Sequence, residues 1–226
     1  MNSSLESYIY NEVVPKYSAF DAAHKEDHAM TVIQQAMMLM GRRNDWLAKQ
    51  EMEQLEIEAI WRSEINPDIL LAAAACHDLG LVNGRDRHHL DSGDIIRNDA
   101  RLCEWFDESE IELIAQAAED HRASGTGEPR SIYGMIVAEA DRVIEGETII
   151  RRTIQFGFKH YPGLDREAHI ARAVEHLNEK YGRGGYLKLW IPWSDNAVRL
   201  AALQELIADP EALSVEVERV FDDLNV

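Results

Sequence analysis

The chain contains nine histidines, and the residues best suited to chemistry among them are His77 and the adjacent Asp78. Small or apolar residues precede this pair at 69–76, including four consecutive alanines, and Gly80 follows it. Alanines let neighbouring helices approach closely, so we expect the pair to be buried at the end of a helix. An unpaired carboxylate buried there would be strongly destabilising or would become protonated. A divalent cation bound by the imidazole and the carboxylate would remove that cost; a hydrogen-bonded cluster at the helix end is the alternative.

Two further positions carry metal-type ligands in otherwise apolar helical segments. His28 lies one turn before an apolar stripe with helical spacing, and Asp141 interrupts a second apolar stretch. With His77 and Asp78 they would supply two imidazole nitrogens and two carboxylates. Such a mixed set suits a divalent iron, manganese, magnesium, cobalt or zinc ion and does not select among them.

The types and order of these residues resemble the HD-domain metal-dependent phosphohydrolases. That family has a first histidine, a His-Asp dipeptide and a distant aspartate on helices, matched here by His28, His77, Asp78 and Asp141 over roughly residues 20–145. The resemblance implies a compact multi-helix HD-domain bundle that holds one or two divalent metal ions. It implies hydrolysis of a small phosphate ester or nucleotide by metal-activated water, with Asp78 and His77 as catalytic residues.

A subset of the family binds a second metal through two extra histidines. His88 and His121 match these positions, and the spacing fits His88 slightly better than His89. They are candidate ligands of a metal or a phosphate; alternatively, they line the pocket around a single metal. The same set resembles that of HD-fold di-iron oxygenases, and a sensor that binds a metal or nucleotide without catalysis is a third interpretation.

Cationic side chains beside these ligands are candidates for substrate binding, because they would neutralise charge developing on a phosphoryl group. They are Arg85, Arg87, Arg122 and Arg142. For Arg85 and Arg87, an ordinary surface role is an equal alternative. His24 is expected at the rim of the site or on the surface, since His24 to His28 does not form the HExxH pattern.

Helical periodicity runs through almost the whole chain, and strand-like alternation is scarce, so we predict an all-α fold. The predicted helices cover residues 8–14, 19–40, 45–62, 68–77, 88–105, 109–121, 131–144, 147–159, 165–181, 195–207 and 210–224, with a loop at 79–87. We expect one domain over 1–226, with the metal-binding core at about 20–145 and additional C-terminal helices at about 146–226.

Local signals set several of these boundaries. Pro15 is expected to stop the first helix, and Gly41 with Asn44 the second. Asn66 followed by Pro67 is typical of an N-cap and a first helical position. Farther along the chain, the spacing of Ser109 and Glu112 fits a capping box.

The charge balance restricts the partners. The 226 residues include 23 Lys and Arg against 41 Asp and Glu, a net charge of −18. This charge repels nucleic-acid backbones and anionic membranes, so we expect a small phosphorylated substrate, no nucleic-acid polymer and no membrane. The sequence shows no signal peptide, and its apolar runs fall short of the ~20 residues of a membrane span. We therefore expect a cytoplasmic protein.

Two remaining features bear on packing. Cys76 and Cys103 are expected to be reduced and buried in the core. The aromatic stretch at 189–193 is expected to pack the C-terminal helices or to form a contact in a homo-oligomer.

Overall fold

The computed structural model describes residues 1–21, 24–49, 59–124, 127–142 and 144–224. Within these ranges the chain forms eleven α-helices and no strand, which confirms the predicted all-α fold. The helices are α1 (Ser3–Tyr8), α2 (Glu26–Lys49), α3 (Ala59–Arg62), α4 (Pro67–Cys76), α5 (His88–Arg97), α6 (Glu108–Asp120), α7 (Ile132–Ala140), α8 (Gly146–His160), α9 (Arg166–Tyr181), α10 (Asn196–Ala208) and α11 (Pro210–Asp223). Each of them, among the described residues, is too short or too polar to cross a bilayer.

The chain divides into two compact units. The first comprises Met1–Arg142 with Trp190–Ser194, and the second comprises Val143–Leu189 with Asp195–Val226. Helices α1 to α7 therefore belong to the first unit and α8 to α11 to the second.

The core of the first unit is built around α4 and α7. The Asn66 side chain caps α4 by accepting the N–H of Asp68 at 2.9 Å, and Pro67 occupies the first turn, as predicted. Every residue at 69–76 is buried, and so is every residue of α7. Helix α4 packs against α2, α6 and α7. These apolar helices fix the positions of the polar residues that follow their last turns.

The predicted end of the second helix is wrong. Helix α2 continues through Gly41 and Asn44 to Lys49. A glycine in a helix interior costs only about 1 kcal/mol relative to alanine, and the buried face of α2, which includes Val32 and Leu39, outweighs that cost. Of the predicted helix at 45–62, residues 45–49 belong to α2 and 59–62 to α3, and 50–58 lie outside the described residues.

The N-terminal segment also differs from its prediction. Helix α1 ends at Tyr8, a π-helical turn covers Ile9–Val13, and a 3₁₀ helix covers Val14–Ala19. Pro15 therefore lies in the first turn of the 3₁₀ helix, where its missing N–H leaves no hydrogen bond unmade.

Three further predictions need correction. The predicted helix at 88–105 ends as α5 at Arg97. The capping box of α6 is formed by Asp107 and Glu110, not by Ser109 and Glu112. Cys103 is exposed, whereas Cys76 is buried as predicted.

Of the aromatic stretch at 189–193, residues 190–193 belong to the first unit and Leu189 to the second. Ile191 and Trp193 are buried, and the Trp193 indole N–H donates to the carbonyl oxygen of Leu39 at 2.8 Å. In the second unit, α8 packs against α9, and α11 packs against both. Leu213, Val217 and Val220 of α11 form part of its interior.

Candidate metal centre

Five helix ends bring the six predicted ligands together in the first unit. His28 lies near the start of α2, His77 and Asp78 follow α4, His88 begins α5, and His121 and Asp141 are the C-caps of α6 and α7. The apolar helices thus position the polar cluster at their ends, where the chain leaves the core.

Asp78 lies at the centre of this cluster. Its Oδ2 atom is 3.5 Å from His28 Nε2 and 3.4 Å from His77 Nε2. Its Oδ1 atom is 3.4 Å from His88 Nε2 and also 3.4 Å from His121 Nε2. Each carboxylate oxygen therefore faces its own pair of imidazoles.

The cluster accordingly consists of two ligand groups that share Asp78. The first group contains His28, His77, Asp78 and Asp141, with Asp141 Oδ1 at 3.3 Å from His28 Nε2 and 3.9 Å from His77 Nε2. The second group contains Asp78, His88 and His121. The two Nε2 atoms are 3.2 Å apart in the first group and 3.3 Å apart in the second.

Backbone carbonyls fix the tautomers of three of these histidines. The Nδ1 atoms lie 2.8 Å from Ala74 O in His77, 2.7 Å from Arg85 O in His88 and 2.5 Å from Ala118 O in His121. Because a carbonyl only accepts hydrogen bonds, we assign the proton to Nδ1 in each ring. In its neutral form, each ring then presents the lone pair of Nε2 to the cluster, as metal-binding histidines do.

This arrangement of acceptors fits a cation. In the second group, two Nε2 lone pairs and a carboxylate oxygen face one another within 3.4 Å. With both Nδ1 atoms protonated, the neutral rings have no proton at Nε2 to place between these acceptors. A divalent ion with nitrogen and oxygen ligands would bind all three, so the residues fit such a metal.

The two carboxyl groups of the cluster, Asp78 and Asp141, have lowered pKa values, which favours their ionised forms. Burial raises the pKa of Asp78, but the nearby imidazoles, His77 first, hold it well below its usual value. Burial likewise opposes ionisation of Asp141, and the nearby histidines, His77 first, leave its pKa lowered. Burial and the proximity of His121 lower the pKa of His88. The cluster therefore offers two anionic carboxylates for a cation.

One side of the cluster is closed and the other is open. The side chains of His77, Asp78 and His121 are at most 4% exposed, whereas Asp141 is 27% exposed. His28 and His88 are intermediate, at 15% and 13%. A small molecule from solvent would therefore reach the cluster from the side of Asp141, His28 and His88.

Two backbone contacts hold the Asp78 region in place. The N–H of Asp78 donates to the Tyr17 hydroxyl at 3.2 Å, and the N–H of Gly80 donates to Ser92 Oγ at 2.8 Å. Neither Tyr17 nor Ser92 was predicted to support the site, because a lone tyrosine or serine in a helical segment carries no signal of such a role.

The predicted substrate-binding arginines lie in different environments. Arg122 donates to the carbonyl oxygen of Asp86 at 2.5 Å. Arg85 is 60% exposed and lies 3.4 Å from Asp21. Arg87 is exposed, whereas Arg142 is buried.

Of the four, Arg122 has electrostatic interactions with residues at the second ligand group. Burial, followed by the charge of Arg122, lowers the pKa of His89 to about 4, and Arg122 also contributes to the lowered pKa of His88. His24 lies beside the cluster, with its ring 5.4 Å from that of His28 and its Nδ1 2.7 Å from Asp21.

The fold and the site together define an all-α protein with a cluster of histidines and aspartates that could hold a metal ion. A family model for the HD domain matches residues 26–146, which is more than half of the chain. The chain therefore belongs to the HD domain family, whose members are generally metal-dependent phosphohydrolases. Neither a search of curated proteins nor a search of solved structures found a match.

Proposed function

We propose that the protein is a divalent-metal-dependent phosphohydrolase acting on a small phosphate ester or a nucleotide. The observation that carries the proposal is the position of Asp78, whose two carboxylate oxygens each face two Nε2 atoms within 3.5 Å. A carboxylate so placed can bridge two cations. The first ligand group would hold one and the second ligand group the other.

The residues of the chain would have separate roles in holding the metal ions and in shielding the site. Bound divalent metal ions lower the pKa of water towards neutrality and stabilise negative charge on phosphoryl oxygens. The Nδ1–H bonds to backbone carbonyls keep the imidazoles of His77, His88 and His121 oriented towards the centre. Buried His77 and His121 exclude bulk water from the closed side, which strengthens electrostatic interactions there.

The charge distribution supports a small anionic substrate. The net charge of −18 opposes the approach of polyanions, so an anion must be attracted by local positive charge at the site. Arg122 is the candidate arginine whose charge helps to lower the pKa values of His88 and His89 at this group. We propose that Arg122 contacts a phosphoryl oxygen at the second ligand group.

A di-iron oxygenase is the second candidate, and the same geometry favours it. The convergence of His88 and His121 on Asp78 supplies the ligands that a second iron would need. Iron content and dependence of turnover on oxygen separate the two functions. A hydrolase releases phosphate in the absence of oxygen, whereas an oxygenase consumes oxygen during turnover.

The test is phosphate release from a panel of nucleotides and sugar phosphates, with manganese, cobalt, magnesium or iron added. The wild type is compared with the double variant His77→Ala, Asp78→Ala and with His160→Ala, which changes an exposed histidine of α8. We expect metal-dependent release from the wild type and from His160→Ala, and none from the double variant. Equal release from all three proteins would contradict the proposal.

A further inference from the structure

The Tyr17 hydroxyl joins two backbone groups at the end of α4. It donates to the carbonyl oxygen of Ala75 at 2.8 Å and accepts the N–H of Asp78 at 3.2 Å. The Tyr17 side chain is fully buried, so water cannot replace the hydroxyl in either bond without a rearrangement of the core.

These two bonds lie where the chain must leave the helix. In a continued α-helix, the N–H of Asp78 would donate to the carbonyl of Ala74, four residues earlier. Here the carbonyl oxygen of Ala74 instead accepts a hydrogen bond from Nδ1 of His77, at 2.8 Å. The Tyr17 hydroxyl provides an acceptor for Asp78, and it also binds the Ala75 carbonyl in the last turn of α4.

We infer that Tyr17 is a positioning residue, whose hydroxyl fixes the backbone of Asp78 and thereby the carboxylate shared by both ligand groups. The inference rests on the proposed function. Tyr17 lies in the N-terminal 3₁₀ helix, outside the range 26–146 that the family model matches. The inference therefore means that this helix helps to position the proposed metal ligands.

The geometry explains why a single hydroxyl matters at this place. Metal–ligand distances tolerate deviations of only about 0.2 Å, and Asp78 must satisfy both groups at once. Loss of a residue that orients a metal ligand typically weakens metal binding about 10- to 100-fold. A shift at Asp78 would affect both metals, whereas a shift at His88 or Asp141 would affect one.

The test compares two tyrosine-to-phenylalanine variants of the full chain. Tyr17→Phe removes the hydroxyl at Asp78 and keeps the ring. Tyr133→Phe is the matched control, because the hydroxyl of this buried residue accepts the N–H of Asn66 at 2.9 Å, at the opposite end of α4. The dissociation constant of Mn²⁺ is measured for the wild type and both variants by competition with a chromophoric chelator, with circular dichroism as the check on folding.

We expect Tyr17→Phe to be folded and to bind Mn²⁺ about 10- to 100-fold more weakly than the wild type, with Tyr133→Phe within about twofold of it. Equal Mn²⁺ affinity in all three proteins overturns the inference, and so does an equal loss in both variants, which would reflect destabilised α4. An unfolded Tyr17→Phe also overturns it, because the hydroxyl would then hold the fold and not the carboxylate. Failure of the wild type to bind any of Mn²⁺, Co²⁺, Mg²⁺ and Fe²⁺ refutes the proposed function itself.

Discussion

Replacement of Gly80 by alanine should displace α5 from the residues that follow Asp78. A Cβ atom on Gly80 would lie 2.0 Å from the carbonyl oxygen of His88, 2.5 Å from the nitrogen of Ser92 and 2.9 Å from the carbonyl carbon of Asp91. All three are backbone atoms, so no side-chain rotation can relieve the contact. To reach an ordinary separation of 3.4 Å from the His88 oxygen, the backbone must move by about 1.4 Å.

This displacement has a cost in stability and in metal binding. Overpacking typically costs about 1–3 kcal/mol, and loss of the hydrogen bond from Gly80 to Ser92 adds about 1 kcal/mol. We therefore expect the free energy of unfolding to fall by about 3 kcal/mol. Because His88 moves with α5 by far more than the ~0.2 Å that a metal ligand tolerates, the second ligand group should also bind metal more weakly.

The assay is urea unfolding of the metal-free protein, followed by circular dichroism. Gly41→Ala in α2 is the matched control, because a Cβ there meets none of the described atoms within 4 Å. It should stabilise the protein by about 0.5–1 kcal/mol, since alanine is the better helix former. A Gly80→Ala protein that unfolds at the wild-type urea concentration would refute the close approach of α5 to Gly80.

Three more predictions concern individual side chains. Asp78→Asn should abolish Mn²⁺ binding to both groups and lower phosphate release more than about 100-fold; retention of half of the activity would contradict the bridging role. Cys103 is exposed, whereas Cys76 is buried with a thiol pKa raised to about 12, chiefly by burial. Ellman's reagent should therefore modify one thiol in the native protein and two in urea, and two in the native protein would show that Cys76 is accessible. The hydrogen bond from Arg97 lowers the pKa of Glu112 from 4.5 to about 2, so ionised Glu112 stabilises the fold above pH 4.5 and loses this effect as the pH falls towards 2. Because Glu112 is 45% exposed, the effect should be about 1 kcal/mol or less, and Glu112→Gln should flatten the stability profile over that range; an unchanged profile would exclude the effect.

The parts of the fold that could be predicted depend on local chemistry. Asn66 and Pro67 define the start of α4 by themselves, and the run of small apolar residues after them requires burial. The end of α2 could not be predicted in this way. Gly41 disfavours a helix only weakly, and the packing of α2 in the fold determines where the helix ends. The predicted start of α6 was wrong for another reason. A second capping pattern, Asp107 with Glu110, overlaps the predicted Ser109 with Glu112, and the structure uses Asp107 with Glu110.

The candidate site shows the same division. Four of its ligand candidates are visible in the sequence, because His28, His77, Asp78 and Asp141 lie in or directly after apolar helical segments. His88 and His121 were predicted only from the resemblance to the HD-domain family. The sharing of Asp78 between two groups depends on how α5 and α6 pack together, which periodicity does not describe. The spacing slightly favours His88 over His89, and the packing places His88 Nε2 at 3.4 Å from Asp78 Oδ1. Tyr17 reaches Asp78 from 61 positions away, and an aromatic residue in a short helix looks like any other core residue.

If Asp78 serves two metal sites, as we propose, the number of metal ions bound per chain is the most direct test. The wild type and the double variant His88→Ala, His121→Ala are loaded with Mn²⁺, desalted and analysed by elemental mass spectrometry. We expect about two manganese ions per chain in the wild type and about one in the double variant, which keeps only the first ligand group. Fewer than one ion per wild-type chain, or two ions retained by the double variant, would contradict the proposal.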